Sequence, residues 1–501
     1  MARFSLTLPD LAATERLGDD IAAALKPGDL VTLSGDLGAG KSALARAMVR
    51  AIAADQALEV PSPTFTLVQQ YRLRLPTAHF DLYRLASPHE VDELGLDEAL
   101  RDGVALVEWP QRGEGQLPAA AIAVSLSETG TGRTAEIACS EAAAARLSRS
   151  LAIREFLQSS GWGGARRTFL VGDASARAYE NATIPGELPR IVMNSPRQPD
   201  GPPIRGGKPY SRIAKLAESV MPFVGVGRAL REAGFAAPEI FAQDLDAGLL
   251  LIENLGSGTF LDESGAPVAE RYAAAAELLA ALHEQTWNAE LPVAPEHVHR
   301  LPDYDREAMA IETELALDWY VPAMLGRQAA SEERAAFGSA WSAAFDRLAT
   351  AETSLVLRDY HSPNLIWRGD RAGTDRLGII DFQDALIGPA AYDVASLAMD
   401  ARVTISEELE RATIEAYAAA RMRAGAFDHQ RFEAAYAIMA AQRNSKILGI
   451  FVRLNKRDGK PQYMRHLPRI RAYLLRALRH PALAPVRDIY QRLGLLAEPP
   501  Q

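Results

Sequence analysis

The residues that most restrict how this chain can fold are Gly35, Asp36, Leu37, Gly38, Ala39, Gly40, Lys41 and Ser42. They satisfy G-x-x-x-x-G-K-S in full, directly after the apolar run 30–33 and directly before an alanine-rich helical stretch. A strand, a glycine-rich turn and a helix in that order let backbone N–H groups curl around phosphate oxygens at the positive end of the helix. Lys41 then supplies a point charge to the β- and γ-phosphates, and the Ser42 hydroxyl is placed to ligate Mg²⁺. Further strand patterns at 67–73, 79–82, 104–107, 122–126 and 136–139 alternate with helical ones, which predicts an α/β domain. A helical pattern over 141–156 breaks at Gly161, Trp162, Gly163 and Gly164, and the boundary is placed at 147, giving domains 1–147 and 148–501.

A second phosphate-handling pattern lies far downstream. Arg358, Asp359 and Asn364 fit R-D-x-x-x-x-N, and the apolar pair Ile379 and Ile380 leads into Asp381 and Phe382. In a kinase catalytic loop Asp359 accepts the proton of the substrate hydroxyl, while Asn364 and Asp381 hold Mg²⁺ against the phosphates. Asp384 and Asp393 are expected to brace this segment. Strand patterns at 168–171 and 190–193, a Pro- and Gly-rich loop over 195–209 and a mostly helical remainder interrupted at 355–384 predict a two-lobed, kinase-like α+β domain.

Composition sets the outer bounds. With 501 residues the chain exceeds one ordinary domain, and 48% hydrophobic against 24% charged residues describes a folded protein. A net charge of −10 excludes a globally basic nucleic-acid binder. The single cysteine, Cys139, is expected to be a packed core residue and fits a reducing compartment. No long apolar run suits a membrane span or a leader, so a cytoplasmic protein without membrane partners is expected. His297 and His299 read as exposed loop histidines rather than metal ligands. Lys446, Arg453, Lys456, Arg457 and Lys460 form a basic run that reads as a solvated face, or as a contact for RNA or a sugar acid.

Around the first motif stand Ser62-Pro-Thr64-Phe-Thr-Leu-Val, His79-Phe-Asp81-Leu-Tyr-Arg84 and Val107-Glu108-Trp109-Pro110. With the P-loop they resemble the TsaE family, small P-loop NTPases required for threonylcarbamoyladenosine in tRNA. Asp81 and Glu108 each follow or end a short apolar strand, where a carboxylate can hold Mg²⁺ or orient water. Thr64 lies in a loop suited to sensing the γ-phosphate. The resemblance implies that Asp81 and Glu108 serve ATP hydrolysis and that Trp109 lies beside the nucleotide. It also implies TsaB- and TsaD-type partner subunits, with tRNA reached through that complex.

The second half resembles the aminoglycoside phosphotransferase-like kinases, and among them the kinases of the anomeric hydroxyl of N-acetylmuramate and N-acetylglucosamine. The residues that carry this are 358–365, 380–385, 388–397, 447–454 and 457–460. The resemblance implies an adenine-pairing hinge at Glu253 and Leu255, a phosphate-covering turn at Gly172, Asp173, Ala174 and Ser175, ATP and Mg²⁺ as cofactors, and a small amino sugar as substrate. Two positions depart from the pattern. Leu357 stands where a His is usual, and the strand that usually carries the ATP-pairing Lys reads Ile191, Val192 and Met193. Lys208, Lys215, Arg177 and Arg190 are the candidates for that role. The expected protein is a bifunctional ATPase and sugar kinase. The alternative is a single-function tRNA-modification ATPase whose second half is a pseudokinase binding module.

Overall fold

The computed structural model describes residues 2–170, 177–425 and 427–496. The turn expected at Gly172, Asp173, Ala174 and Ser175 lies outside the described residues. By its contacts the chain divides into two compact units, 1–196 with 240–254, and 197–239 with 255–501.

The first unit opens with β1 (Ala2–Leu8), α1 (Leu11–Ala24), β2 (Leu30–Gly35) and α2 (Lys41–Ala53). Next come β3 (Val68–Tyr71), β4 (Thr77–Asp81), α3 (Leu96–Asp102), β5 (Val104–Glu108), β6 (Ile122–Thr129) and β7 (Gly132–Cys139). The seven strands form one sheet in the order β1-β7-β6-β2-β5-β4-β3. β2 pairs parallel with both β5 and β6, and β4 pairs parallel with β5. β4 and β5 are buried along their whole length, and β2 over 30–33, because both faces of the sheet are covered there. Val31, Leu33, Val104 and Leu106 enter one core, whereas Leu30, Ala105 and Val107 enter the other. Cys139 is buried in the first of these.

α4 (Glu141–Ser159) follows without a break at 147. Its Ala143, Ala144 and Leu147 belong to the core of the first sheet. Its Ile153, Phe156 and Leu157 join Trp162, Ala182, Val192, Leu249 and Leu251 in the core of a second sheet. That sheet contains β8 (Arg166–Leu170), β9 (Ala178–Thr183) and β10 (Arg190–Asn194). After a small ladder of β11 (Pro203–Arg205) and β12 (Lys208–Pro209), β13 (Ile240–Asp244) and β14 (Leu249–Glu253) complete it in the order β13-β14-β10-β9-β8.

Helix α1 serves both sheets. It lies against α2 so closely that a Cβ on Gly18 would stand 2.5 Å from that of Ala47, which only glycine avoids. It also carries Asp19 and Asp20, both buried, toward β8. Asp19 accepts from Arg166 Nε at 2.7 Å and from the Arg167 backbone N–H at 3.0 Å. Asp20 accepts from Arg167 Nη1 at 2.7 Å and from Arg154 Nη2 at 2.8 Å. Arg167, 1% exposed, turns its other edge to Glu180 of β9 at 2.6 and 3.0 Å. Burial pushes the Asp19 carboxyl up despite Arg166, whereas Arg167 is held firmly charged by Glu180 and Asp20 against its own burial.

The second unit is mainly helical. Its longest helix, His429–Lys456, packs against Arg306–Leu315, Ala391–Ala398 and Leu467–Ala477. Two short ladders, Thr353–Val356 with Leu386–Pro389 and Leu365–Trp367 with Leu377–Ile379, frame the loop around Asp359. His297 and His299 lie in a strand, His297–Arg300, that pairs with Glu290–Ala294, rather than in a loop. The alternation of side chains there was too short to register as a strand. Among the described residues no helix is long and apolar enough to cross a membrane, and no three His, Cys, Asp or Glu side chains cluster as a metal site.

Candidate active sites

The P-loop joins the end of β2 to α2. Gly35, Gly38 and Gly40 have φ of 137°, 84° and 102°, conformations in which a side chain would be strained, so only glycines let the loop wind. Ala39, between them, is buried. Lys41, the first residue of α2 and 4% exposed, donates to the carbonyls of Gly35 and Asp36 at 2.8 and 2.7 Å. Its ammonium stands 3.7 Å from the centre of the Trp109 ring. Burial pulls Lys41 below the ordinary lysine range, against the pull of Glu108, Asp81 and Asp36.

The parallel register of β4 and β5 sets Asp81 directly beside Glu108. The two carboxylates engage different parts of the site. Glu108, 1% exposed, accepts from the Ser42 hydroxyl at 2.8 Å and lies 2.8 Å from His79 Nε2. Asp81 accepts from Thr64 Oγ1 at 2.8 Å, from Ser62 Oγ at 3.3 Å and from the Tyr83 backbone N–H at 3.1 Å. Glu108 therefore touches the P-loop serine, and Asp81 holds the loop that carries Thr64. Trp109 has φ of 60° and packs against Tyr83 with ring centres 4.9 Å apart. His79 entered the sequence argument only as part of the motif around Asp81, with no role of its own. Its place two residues before Asp81 on β4 was visible, but its bond to Glu108 depends on the register of two strands 29 residues apart.

In the second unit, hairpin geometry brings the kinase-type residues together. Leu365 pairs with Ile379, so Asn364 lies opposite Ile380 at the end of the ladder, and Asp381 follows directly. Asn364 Nδ2 donates to Asp381 Oδ2 at 3.3 Å and to the Asp359 carbonyl at 2.9 Å. Asp381 has φ of 60°, and Gln383 Nε2 donates to its Oδ1 at 2.9 Å. Phe382 stacks on Phe223 at 4.7 Å and against Gly227, where a Cβ would meet the ring at 3.0 Å. Burial would raise the Asp359 carboxyl, but His361, Lys446, Arg443 and Arg358 outweigh it and hold it below the usual range.

The loop is braced from behind. Asp393 accepts from the backbone N–H groups of Leu357 and Arg358 at 2.5 and 2.9 Å, and Asp384 accepts from that of Ala217 at 2.6 Å. Arg358, with φ of 68°, pairs with Glu312, which is fully buried. Glu312 also takes Lys446 at 2.9 Å, Gln442 at 2.9 Å and the Tyr304 hydroxyl. Burial would raise Glu312, yet Lys446 and Arg358 hold it at about 2. Lys446 is thus a core cation rather than part of a solvated basic face, and Arg453 lies over the Tyr210 ring at 5.0 Å. Neither signal was available from charge spacing alone.

The hinge and lysine candidates are placed within their own units. Glu253 ends β14 opposite Arg190. Leu255 is buried and packs toward Gly378. Met193 is buried on β10. Lys208 and Lys215 pair with Glu307 and Asp305 at 3.8 and 3.0 Å, and the Arg190 guanidinium lies over Trp162 and Phe241 at 4.2 and 3.7 Å.

This fold and these residues define a nucleotide-using enzyme with an ATPase-family domain ahead of a kinase-type phosphotransferase. Residues 8–135 match the family model of threonylcarbamoyl adenosine biosynthesis protein TsaE, and 167–433 match that of the phosphotransferase enzyme family. The chain belongs to the phosphotransferase enzyme family and, over its first part, to the TsaE family. It is 35% identical to the N-acetylmuramate/N-acetylglucosamine kinase of Caulobacter vibrioides over 69% of this chain and 96% of that one. It is 37% identical to the tRNA threonylcarbamoyladenosine biosynthesis protein TsaE of Haemophilus influenzae, covering 26% of this chain and 85% of that protein. With the TsaE of Rickettsia conorii the identity is 42%, over 21% of this chain and 60% of the relative.

Proposed function

We propose that the chain is bifunctional and cytoplasmic: residues 1–147 hydrolyse ATP in support of tRNA threonylcarbamoylation, and residues 148–501 phosphorylate N-acetylmuramate or N-acetylglucosamine. The observation that carries the first activity is the bond from Ser42 to Glu108, which joins the P-loop to a strand-end carboxylate. The oxygen donors Ser42, Asp81 and Glu108 suit a hard cation such as Mg²⁺. Gly35, Gly38, Ala39 and Gly40 cradle the phosphates, with Lys41 as their counter-charge and Trp109 beside the nucleotide. Hydrolysis is coupled to TsaB- and TsaD-type partners through the loop that Thr64 ties to Asp81.

The second activity rests on the convergence of Asp359, Asn364 and Asp381. Asn364 and Asp381 would hold Mg²⁺, which supplies charge neutralisation at the phosphates, and Glu253 and Leu255 receive the adenine. Asp359 accepts the proton as the sugar oxygen bonds to the γ-phosphorus; the bond from that phosphorus to the bridging oxygen breaks, and ADP leaves. The test uses the full chain with Mg–ATP and each sugar, with the product mapped by ³¹P NMR. Formation of a sugar 1-phosphate that is lost in Asp359→Asn is expected. A wild-type chain that phosphorylates neither sugar would refute the kinase reading. ATP hydrolysis that does not respond to TsaB and TsaD would refute the first.

A further inference from the structure

Arg443, Lys446 and Arg453 share one face of the long helix His429–Lys456, because their spacing follows the helical repeat. The middle cation is balanced: Lys446 reaches Glu312 at 2.9 Å. The outer two are not. Arg443, 3% exposed, donates through Nη1 to the Met399 carbonyl at 3.4 Å and pairs with no carboxylate among the described residues. Asp400, next in the chain to Met399, is already engaged. It accepts from the backbone N–H groups of Ser362 and Arg402 at 2.9 and 2.7 Å and from the Tyr272 hydroxyl at 3.3 Å. Arg453 lies over the Tyr210 ring, and its buried Nε has no hydrogen-bond partner among the described residues.

A buried guanidinium that no anion faces is costly, and the cost falls when an anion reaches it. Arg443 stands close enough to the catalytic loop for its charge to help hold the Asp359 carboxyl down. The residue after the carbonyl it bonds fixes Ser362 of that same loop. The Asp359 side chain itself remains partly exposed, which leaves an acceptor a way in. Of the two sugars, N-acetylglucosamine is neutral and offers these cations nothing, whereas N-acetylmuramate carries a lactyl carboxylate. We propose that Arg443 is a specificity residue, its guanidinium binding the carboxylate of the acceptor sugar, so that the site is built for a sugar acid and merely tolerates the neutral sugar. This inference rests on the kinase reading of the second domain.

The experiment measures KM and kcat of the full chain with Mg–ATP for N-acetylmuramate, its methyl ester and N-acetylglucosamine. In the parent the ester should show a KM about tenfold above that of the acid, because esterification removes the charge. Arg443→Gln should raise KM for the acid about tenfold and leave those for the ester and N-acetylglucosamine within about twofold. Any fall in kcat, from the altered field at Asp359, should be common to all three sugars. Arg443→Lys should recover part of the loss, since it keeps the charge but not the planar fork. The parental comparison of acid with ester needs no variant and stands even if Arg443→Gln fails to fold. Equal KM for acid and ester in the parent, or a rise in KM shared by all three sugars, would overturn the proposal. A rise in KM for ATP alone would assign Arg443 to the phosphates and overturn it too, as would a selective loss in Arg453→Gln with none in Arg443→Gln. A parent that phosphorylates none of the three would remove the kinase reading and this inference with it.

Discussion

At the P-loop the chemistry-bearing side chains are bonded to one another: Ser42 to Glu108, Thr64 to Asp81, Lys41 to the loop's own carbonyls. At the kinase-type loop they are held mostly by groups that take no part in chemistry. Asp393 fixes the backbone ahead of Asp359, and Glu312 fixes Arg358 between two further donors from a distant helix. The first site is positioned by the register of its strands. The second is positioned by a buried charge cluster that brackets an irregular loop. Substitutions should therefore act at different levels in the two places.

The largest contrast is expected from Asp359→Asn, which keeps shape but removes the base. Sugar phosphorylation should fall on the order of 10³-fold with ATP binding at that site retained; equal loss of ATP hydrolysis at the P-loop would break the separation. Lys41→Ala is the converse, lowering hydrolysis on the order of 10²-fold by removing one preorganised charge, with sugar phosphorylation at its parental rate. A kinase rate that fell in step would show that the two sites are not independent. Asp20→Ala should cost about 3 kcal/mol in urea unfolding, because it strips a counter-ion from buried Arg167. Unchanged stability would mean that the network contributes only orientation.

The last comparison concerns Glu312 and is read against pH. Its folded pKa of about 2 lies below the ordinary glutamate value of about 4.3. It therefore contributes stability that is present above about pH 4.3 and is lost as the pH falls toward 2. Glu312→Gln should flatten the acid limb of the urea midpoint plotted against pH, and an unaltered limb would show that other carboxylates set it.

Much of both sites was legible because each rests on residues close in sequence: the glycine turn with Lys41 and Ser42, and Asp359 with Asn364. The sheet was legible where strands are apolar on both faces, as in β2 and β5. What escaped was long-range. His79 reaches Glu108 only through strand register, and nothing local to it announces that bond. Lys446 looked like surface charge because its carboxylate partner lies more than a hundred residues away. Asp19 and Asp20 had no place in the sequence argument, since nothing near them announces the arginines of β8.

Those two aspartates bear on how the chain could ever be divided. A cut at 147 would leave α4 with half of its apolar stripe exposed, Arg166 without Asp19, and Arg167 with Glu180 but without Asp20. Two ancestral proteins can be joined by a single recombination, since each arrives already folded. Once β8 leans on carboxylates borrowed from the other partner, parting them again demands several coordinated substitutions, each harmful until the rest are made. The buried ion network thus works as a ratchet, tying the first sheet to the second against any later division.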